Sequence, residues 1–224
     1  MKPFGLLMIF NMLLFYSNII SARSNYVFEL VFNLMGIRYQ LTNDRLLFEN
    51  YPDIKINYSN KRIGDEFFIK SSSLLLENFI KKTNIIVVEK FQTKVLFPND
   101  SSCDLGFDIF SAVFYMVSRY EEYLPFQPDQ HGRFKAIDSL AYQNNFLQSP
   151  VVDIWIKNLK NILLKKSPSL KTSEPSFRAL TTYDIDTAYK YKGRNLLRTT
   201  GAVVRDLIQF NFKNTLKRAE TLFN

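Results

Sequence analysis

The chain has 224 residues, room for one large domain or two small ones. Hydrophobic residues make up 46% and charged residues 22%, which excludes wholesale disorder; a single Cys (Cys103) and a single His (His131) exclude a disulfide framework, a Cys-cluster metal site and any motif needing two His. The net charge of +8 is local: from Thr187 to Asn224 eight basic residues face only Asp206 and Glu220, so that end carries +6 and the rest +2. Such an end can bind phosphates or form the solvated face of a helix; the second reading is simpler, and no specific nucleic-acid partner is expected. The seven Gly include no GxG pair, so glycine-rich dinucleotide and P-loop cradles are absent.

The N-terminus admits two readings. Met1 to Ser21 resembles a secretory signal, with Lys2, an apolar stretch from Phe4 to Tyr16 and small residues near Ser21-Ala22. It is too short and too interrupted by Asn11 and Asn18 to predict a membrane span. Alternatively Leu13–Tyr16 is a buried strand and Ser21 caps a helix beginning near Arg23. In that helix Tyr26, Val27, Leu30, Val31 and Leu34 keep helical spacing, and Gly36 sits where a C-terminal glycine belongs. We favour the strand, because a strand–loop–helix unit follows without a break, and with it a cytoplasmic chain. A signal peptide over residues 1–22 would instead make the protein secreted or periplasmic.

Further strands are expected at Arg38–Thr42, Leu46–Phe48 and Ile54–Tyr58, a short helix over Ser72–Lys81, and a buried strand at Ile85–Val88. Alternating strand and helix patterns predict an α/β domain with a mostly parallel sheet.

The stretch from Asp104 to Leu124 reads as a helix with almost no polar face, hence buried on most sides. Its end places Glu121 and Glu122 against the helix macrodipole unless something compensates. Arg119 pairs with Glu122 at i,i+3 on the simple reading. On the sharper one, Arg119, Glu121 and Glu122 form a polar cluster with Asp129, His131 and Arg133 of the following turn, either a structural staple or a ligand pocket. His131 reads as a turn residue. Ser149-Pro150 then starts a helix with Ser as N-cap, and Val151, Val152, Trp155, Leu159, Ile162 and Leu163 form its buried stripe. The Ser-, Pro- and Lys-rich run that follows marks a linker over residues 167–177. The predicted organisation is an upstream extension (1–11), an α/β domain (12–166), the linker, and a second domain from 178 to 224.

Ala179–Tyr183 reads as a strand running into Asp184-Ile185-Asp186. On an extended backbone residues two apart share a face, so both carboxylates would project together from the strand's C-terminal end, where α/β folds place catalytic groups. One carboxylate on a divalent metal and the other as a base is a coherent division of labour.

Thr182-Tyr183-Asp184-Ile185-Asp186 resembles the first motif of bacterial polysaccharide deacetylases, the NodB-homology carbohydrate esterases. The preceding region resembles the N-terminal domain that accompanies some of them, through Phe107–Phe110, Ser118–Tyr123, His131–Phe134, Pro150–Trp155 and Thr182–Tyr191. The resemblance implies a (β/α) barrel that removes N-acetyl groups from a carbohydrate polymer with a divalent metal, usually zinc. It puts Asp184 at the general base and Asp186 at the carboxylate metal ligand. The family's two metal-binding His, its Arg-containing motif and its late acidic His have no counterpart in the sequence. The expectation is therefore the opening β–α unit of an incomplete barrel: a chain inactive by itself, binding no metal, and able to self-associate through an unfinished apolar face. The alternative is a non-catalytic module that binds a carbohydrate or a partner.

Overall fold

The structure is a computed structural model that describes residues 12–18, 20–173, 176–184, 196–210, 212–214, 216 and 220. The chain divides into two compact units, Met1–Ser176 and Phe177–Asn224.

The first unit is an α/β fold on a four-stranded, all-parallel sheet. Its elements run β1 (Leu13–Ser17), α1 (Ala22–Met35), β2 (Tyr39–Thr42), α2 (Arg45–Glu49), β3 (Lys55–Ser59) and β4 (Phe67–Lys70). A hairpin follows, β5 (Val87–Lys90) and β6 (Thr93–Leu96), then α3 (Ile109–Val117), α4 (Leu140–Gln143) and α5 (Val151–Lys166). Strand order is β2-β1-β3-β4, so β1 and β3 are interior strands buried on both faces.

The alternation within β1 divides the interior. Leu13 and Phe15 enter the main core with α1, α3 and α5, while Leu14 and Tyr16 meet Phe48 of α2 in a smaller cluster on the opposite face. Phe15 packs edge-on to Phe28, Phe32 and Phe110, with ring centroids 4.7, 5.1 and 5.3 Å away. Each such ring contributes roughly 1.5–3 kcal/mol by burial. Trp155 is fully buried and donates its indole N–H to the Lys94 carbonyl at 2.8 Å, fastening α5 to β6.

Helix α1 starts in a capping box. The Ser24 N–H donates to Ser21 Oγ at 3.1 Å, and the Ser21 N–H to Ser24 Oγ at 2.7 Å. It stops at Gly36, whose φ of +66° ends the helix in the left-handed region. The chain returns there at its far end: Thr172 bridges Ile37, and the Ser173 N–H donates to the Gly36 carbonyl at 2.8 Å. With Leu170 also buried, the first half of the expected linker is packed onto the domain.

Several local expectations are corrected. Leu46–Phe48 belongs to a helix, because Asp44 caps it by accepting from the Leu47 N–H at 3.1 Å. Ser72–Lys81 holds one short 3-10 turn, Ser73–Leu75. The β-branched run near Ile85 feeds a half-buried antiparallel hairpin outside the parallel sheet. The helix expected over Asp104–Leu124 begins only after its N-cap, Asp108, and ends at Ser118. Arg119 then takes φ +52°, and Tyr120–Tyr123 form a separate 3-10 turn. That break removes Glu121 and Glu122 from the helix C-terminus and puts them in the first turn of a new element, where carboxylates suit the dipole. Pro150, not Ser149, occupies the cap of α5.

In the second unit the described residues 177–184 form no strand, contrary to the reading of Ala179–Tyr183. The described regular element is α6 (Leu196–Ile208). Among the described residues no helix is long and apolar enough to cross a membrane.

Candidate functional site

Of the two carboxylates expected to act together, Asp184 is exposed on irregular chain, and Asp186 lies outside the described residues. Among the described residues no three His, Cys, Asp or Glu side chains stand where they could hold a metal ion. The described residues therefore do not supply a set that fits zinc.

The expected six-residue polar cluster separates into local arrangements. Arg119 pairs with Glu122 through Nε at 2.6 Å, with the arginine side chain 73% exposed. An exposed pair of this kind contributes about 0.5 kcal/mol or less. Asp129 closes its own turn: Oδ1 accepts from the His131 N–H at 2.8 Å and the Arg133 N–H at 2.9 Å, and Gly132 supplies a φ of +77°. The His131 ring meets the Gln130 amide at 3.1 Å. Among the described residues the Arg133 guanidinium pairs with none of Glu121, Glu122 or Asp129. This is turn chemistry rather than a shared pocket.

Glu121 differs. Its Oε2 accepts from the Leu140 N–H at 2.9 Å, tying the 3-10 turn to α4. Burial pushes its carboxyl above the ordinary range, and the charge of Glu122 adds to that, against the Leu140 hydrogen bond. It lines an open groove of about 1000 Å³. The Asp129 turn builds one wall by bringing Phe126 and Phe134 together edge to face, centroids 5.2 Å apart. Lys82, Thr83 and Asn84 line the groove as well, and the Tyr120 hydroxyl, accepting from the Lys81 N–H at 3.1 Å, fixes the start of that segment. Tyr115 also lines it, its phenol pushed up to about 12 by burial. Thr83 Oγ1 is buried without a partner among the described residues, a polar atom awaiting one.

The groove thus combines aromatic edges with amide, hydroxyl, carboxyl and ammonium groups. Of the six residues singled out in sequence, only Glu121 lines it. The others that do come from separate segments, residues 82–85, 115, 124–127 and 134–143, and the one available signal was the pair of phenylalanines flanking the Pro128–Gly132 turn.

The model of a family described as "Family of unknown function (DUF7033)" matches residues 13–168. The chain belongs to the DUF7033 family. The match opens at the first residue of β1 and runs through α5, so the parallel sheet and the groove are both features of the DUF7033 region. It stops before Thr182–Asp186. No curated protein and no solved structure matches the chain.

Proposed function

We propose that this chain is the N-terminal portion of a bacterial polysaccharide deacetylase-like protein, its DUF7033 region an accessory domain preceding the start of a catalytic one. The observation that carries the reading is the position of the motif. The first unit ends at Ser176, and Asp184 stands exposed within the first eight residues of the second. The reaction of the complete form is metal-dependent hydrolysis of N-acetyl groups on a carbohydrate polymer, with Asp184 as base and Asp186 as a zinc ligand. The remaining ligands must come from outside this sequence, which has one His. The cytoplasm is the compartment this reading favours, since Leu13–Ser17, within the signal-like segment, is an interior strand.

The test is the coding sequence beyond Asn224. A continuation carrying His-x-x-x-His, whose product releases acetate from N-acetylglucosamine oligomers with zinc and loses that activity on Asp184→Asn, is the expected result. Tight stoichiometric zinc on the present chain, lost on Asp186→Ala, would overturn the claim that its site is incomplete.

The groove favours a second reading, a non-catalytic carbohydrate-binding module. Residues 12–173 titrated with N-acetylglucosamine oligomers should then bind, with loss on Phe126→Ala and no change on Arg133→Ala. The reverse pattern would restore the Arg133 turn as the pocket.

A further inference from the structure

The sheet order marks a second place in the first unit. From β1 the chain leaves through α1 toward β2; from β3 it leaves through residues 60–66 toward β4, on the other side. Neighbouring strands whose chains part at their carboxyl ends form the switch point at which open parallel sheets bind ligands. A cavity of about 260 Å³ lies there. Tyr16 and Asn18 line it from the end of β1, Asn60 and Lys61 from the end of β3, and Arg45 from the first turn of α2.

The cavity is open because β3 and β4 are joined unusually. A parallel pair normally needs a crossover of about a dozen residues or more, usually a helix. Here seven residues, 60–66, return along the sheet, pinned by buried polar side chains. The Asn57 amide and the Ser59 hydroxyl both donate to the Lys61 carbonyl at 2.9 Å. The Glu66 carboxylate accepts from Asn57 Nδ2 at 2.8 Å, the Ile63 N–H at 2.8 Å and the Gly64 N–H at 2.6 Å. The segment that presents Asn60 and Lys61 is therefore preorganised.

Charge indicates the ligand. Among the described residues no Asp or Glu lines the cavity. Arg62 at its edge is occupied by the Asp104 carboxylate at 2.9 Å and the Glu66 carbonyl at 2.8 Å. Lys61 stands in no ion pair among the described residues, and Arg45 meets Glu49 through Nε at 2.7 Å. Two cations on separate elements, with Asn18 and Asn60 beside them, suit a compact dianion with several acceptor oxygens. We propose that this crevice binds the phosphate group of a small phosphate monoester, of the bulk of a hexose phosphate. The sequence has no glycine-rich loop for the task, so side chains from three segments replace it. The proposal stands independently of the deacetylase reading, which concerns the second unit.

The test is an amide-resolved NMR titration of the full chain with glucose 6-phosphate, inorganic phosphate, succinate and glucose. Saturable shifts at Asn18, Asn60 and Lys61 with both phosphate probes, and none with glucose, are expected. Lys61→Gln and Arg45→Gln should each weaken binding about tenfold. Both side chains are exposed, so thermal unfolding should not change. Absence of shifts at those amides, shifts untouched by both substitutions, or succinate binding as tightly as phosphate would each overturn the assignment.

Discussion

The Tyr58 hydroxyl donates to the Asp108 carboxylate at 3.0 Å, joining an interior strand to the N-cap of α3 through the core. The same Oδ2 accepts from the Ser72 N–H at 2.7 Å and Ser72 Oγ at 2.6 Å, while Oδ1 accepts from the Ser111 N–H at 3.1 Å. Asp108 is fully buried, so these four donors are what makes its charge tolerable there. Asp108→Ala should cost about 3 kcal/mol or more, since it removes a cap and orphans buried donors. Tyr58→Phe keeps the ring and should cost about 1 kcal/mol. Urea unfolding followed by fluorescence of Trp155, the single tryptophan, measures both. Equal losses would mean that Asp108 is no hub.

Two buried carboxylates give opposite pH dependences. Burial pushes Asp108 above its ordinary 3.8, outweighing the hydrogen bonds from Ser72 and Ser111. Its contribution is complete below pH 3.8 and is lost as pH rises through the raised folded value. At Glu66 burial also pushes upward, but hydrogen bonds from Asn57, Ile63 and Gly64 win and hold the carboxyl below 4.5. Its contribution is complete above pH 4.5 and is lost as pH falls through the lowered folded value. Stability profiles from about pH 3 to 7 should therefore be less acid-sensitive in Glu66→Gln. In Asp108→Asn the decline on rising pH should be shallower, with Glu121, also raised, contributing what remains. Parallel profiles for wild type and both variants would contradict these assignments.

Gly36→Ala should be costly for two separate reasons. The φ of +66° disfavours any Cβ, and a Cβ there would collide with the Ser173 carbonyl oxygen. We expect a loss of about 2 kcal/mol. Trypsin should also cut faster at Lys171, which is exposed on the segment bridged to Ile37. Unchanged cleavage would show that the Thr172 bridge does not restrain that segment.

The β5–β6 hairpin turns on Phe91 and Gln92, with φ of +55° and +58°, although neither is glycine. Phe91 packs near Phe107, centroids 6.3 Å apart, and belongs to the core's edge. Gln92 has no such aromatic contact, so Gln92→Gly should stabilise by about 0.5 kcal/mol. Gln92→Val should destabilise by about 1 kcal/mol or more. Thermal unfolding of the two variants reads the difference, and a fall for both would mean that the Gln92 side chain matters.

Where local chemistry alone decides an element, the sequence made it legible. Ser21, the apolar spacing to Leu34 and Gly36 delimit α1, a continuous apolar run marks β1, and alternation marks β3. Three of the failures share a cause: a polar residue settles the outcome against the apolar pattern. Asp44 turns Leu46–Phe48 into a helix, and Asp108 delays α3 until its apolar run has begun. Arg119 breaks the chain without the glycine that usually announces such a break. The candidate sites were harder still. Groove and crevice each gather residues from separate segments, and only the sheet order shows that Tyr16, Arg45 and Lys61 meet.

The interior place of β1 bears on how the protein is made. Leu13–Ser17 is translated before either neighbouring strand, and its second flank can be covered only once Lys55–Ser59 has emerged. The apolar partners from α3 and α5 arrive later still. Until Lys55–Ser59 emerges, a nascent Leu-Leu-Phe-Tyr segment has an unpaired strand edge open to wrong partners. A pause in translation after Leu13–Ser17 has emerged but before Lys55–Ser59 has would lengthen that exposure, whereas a pause after α5 has emerged would not.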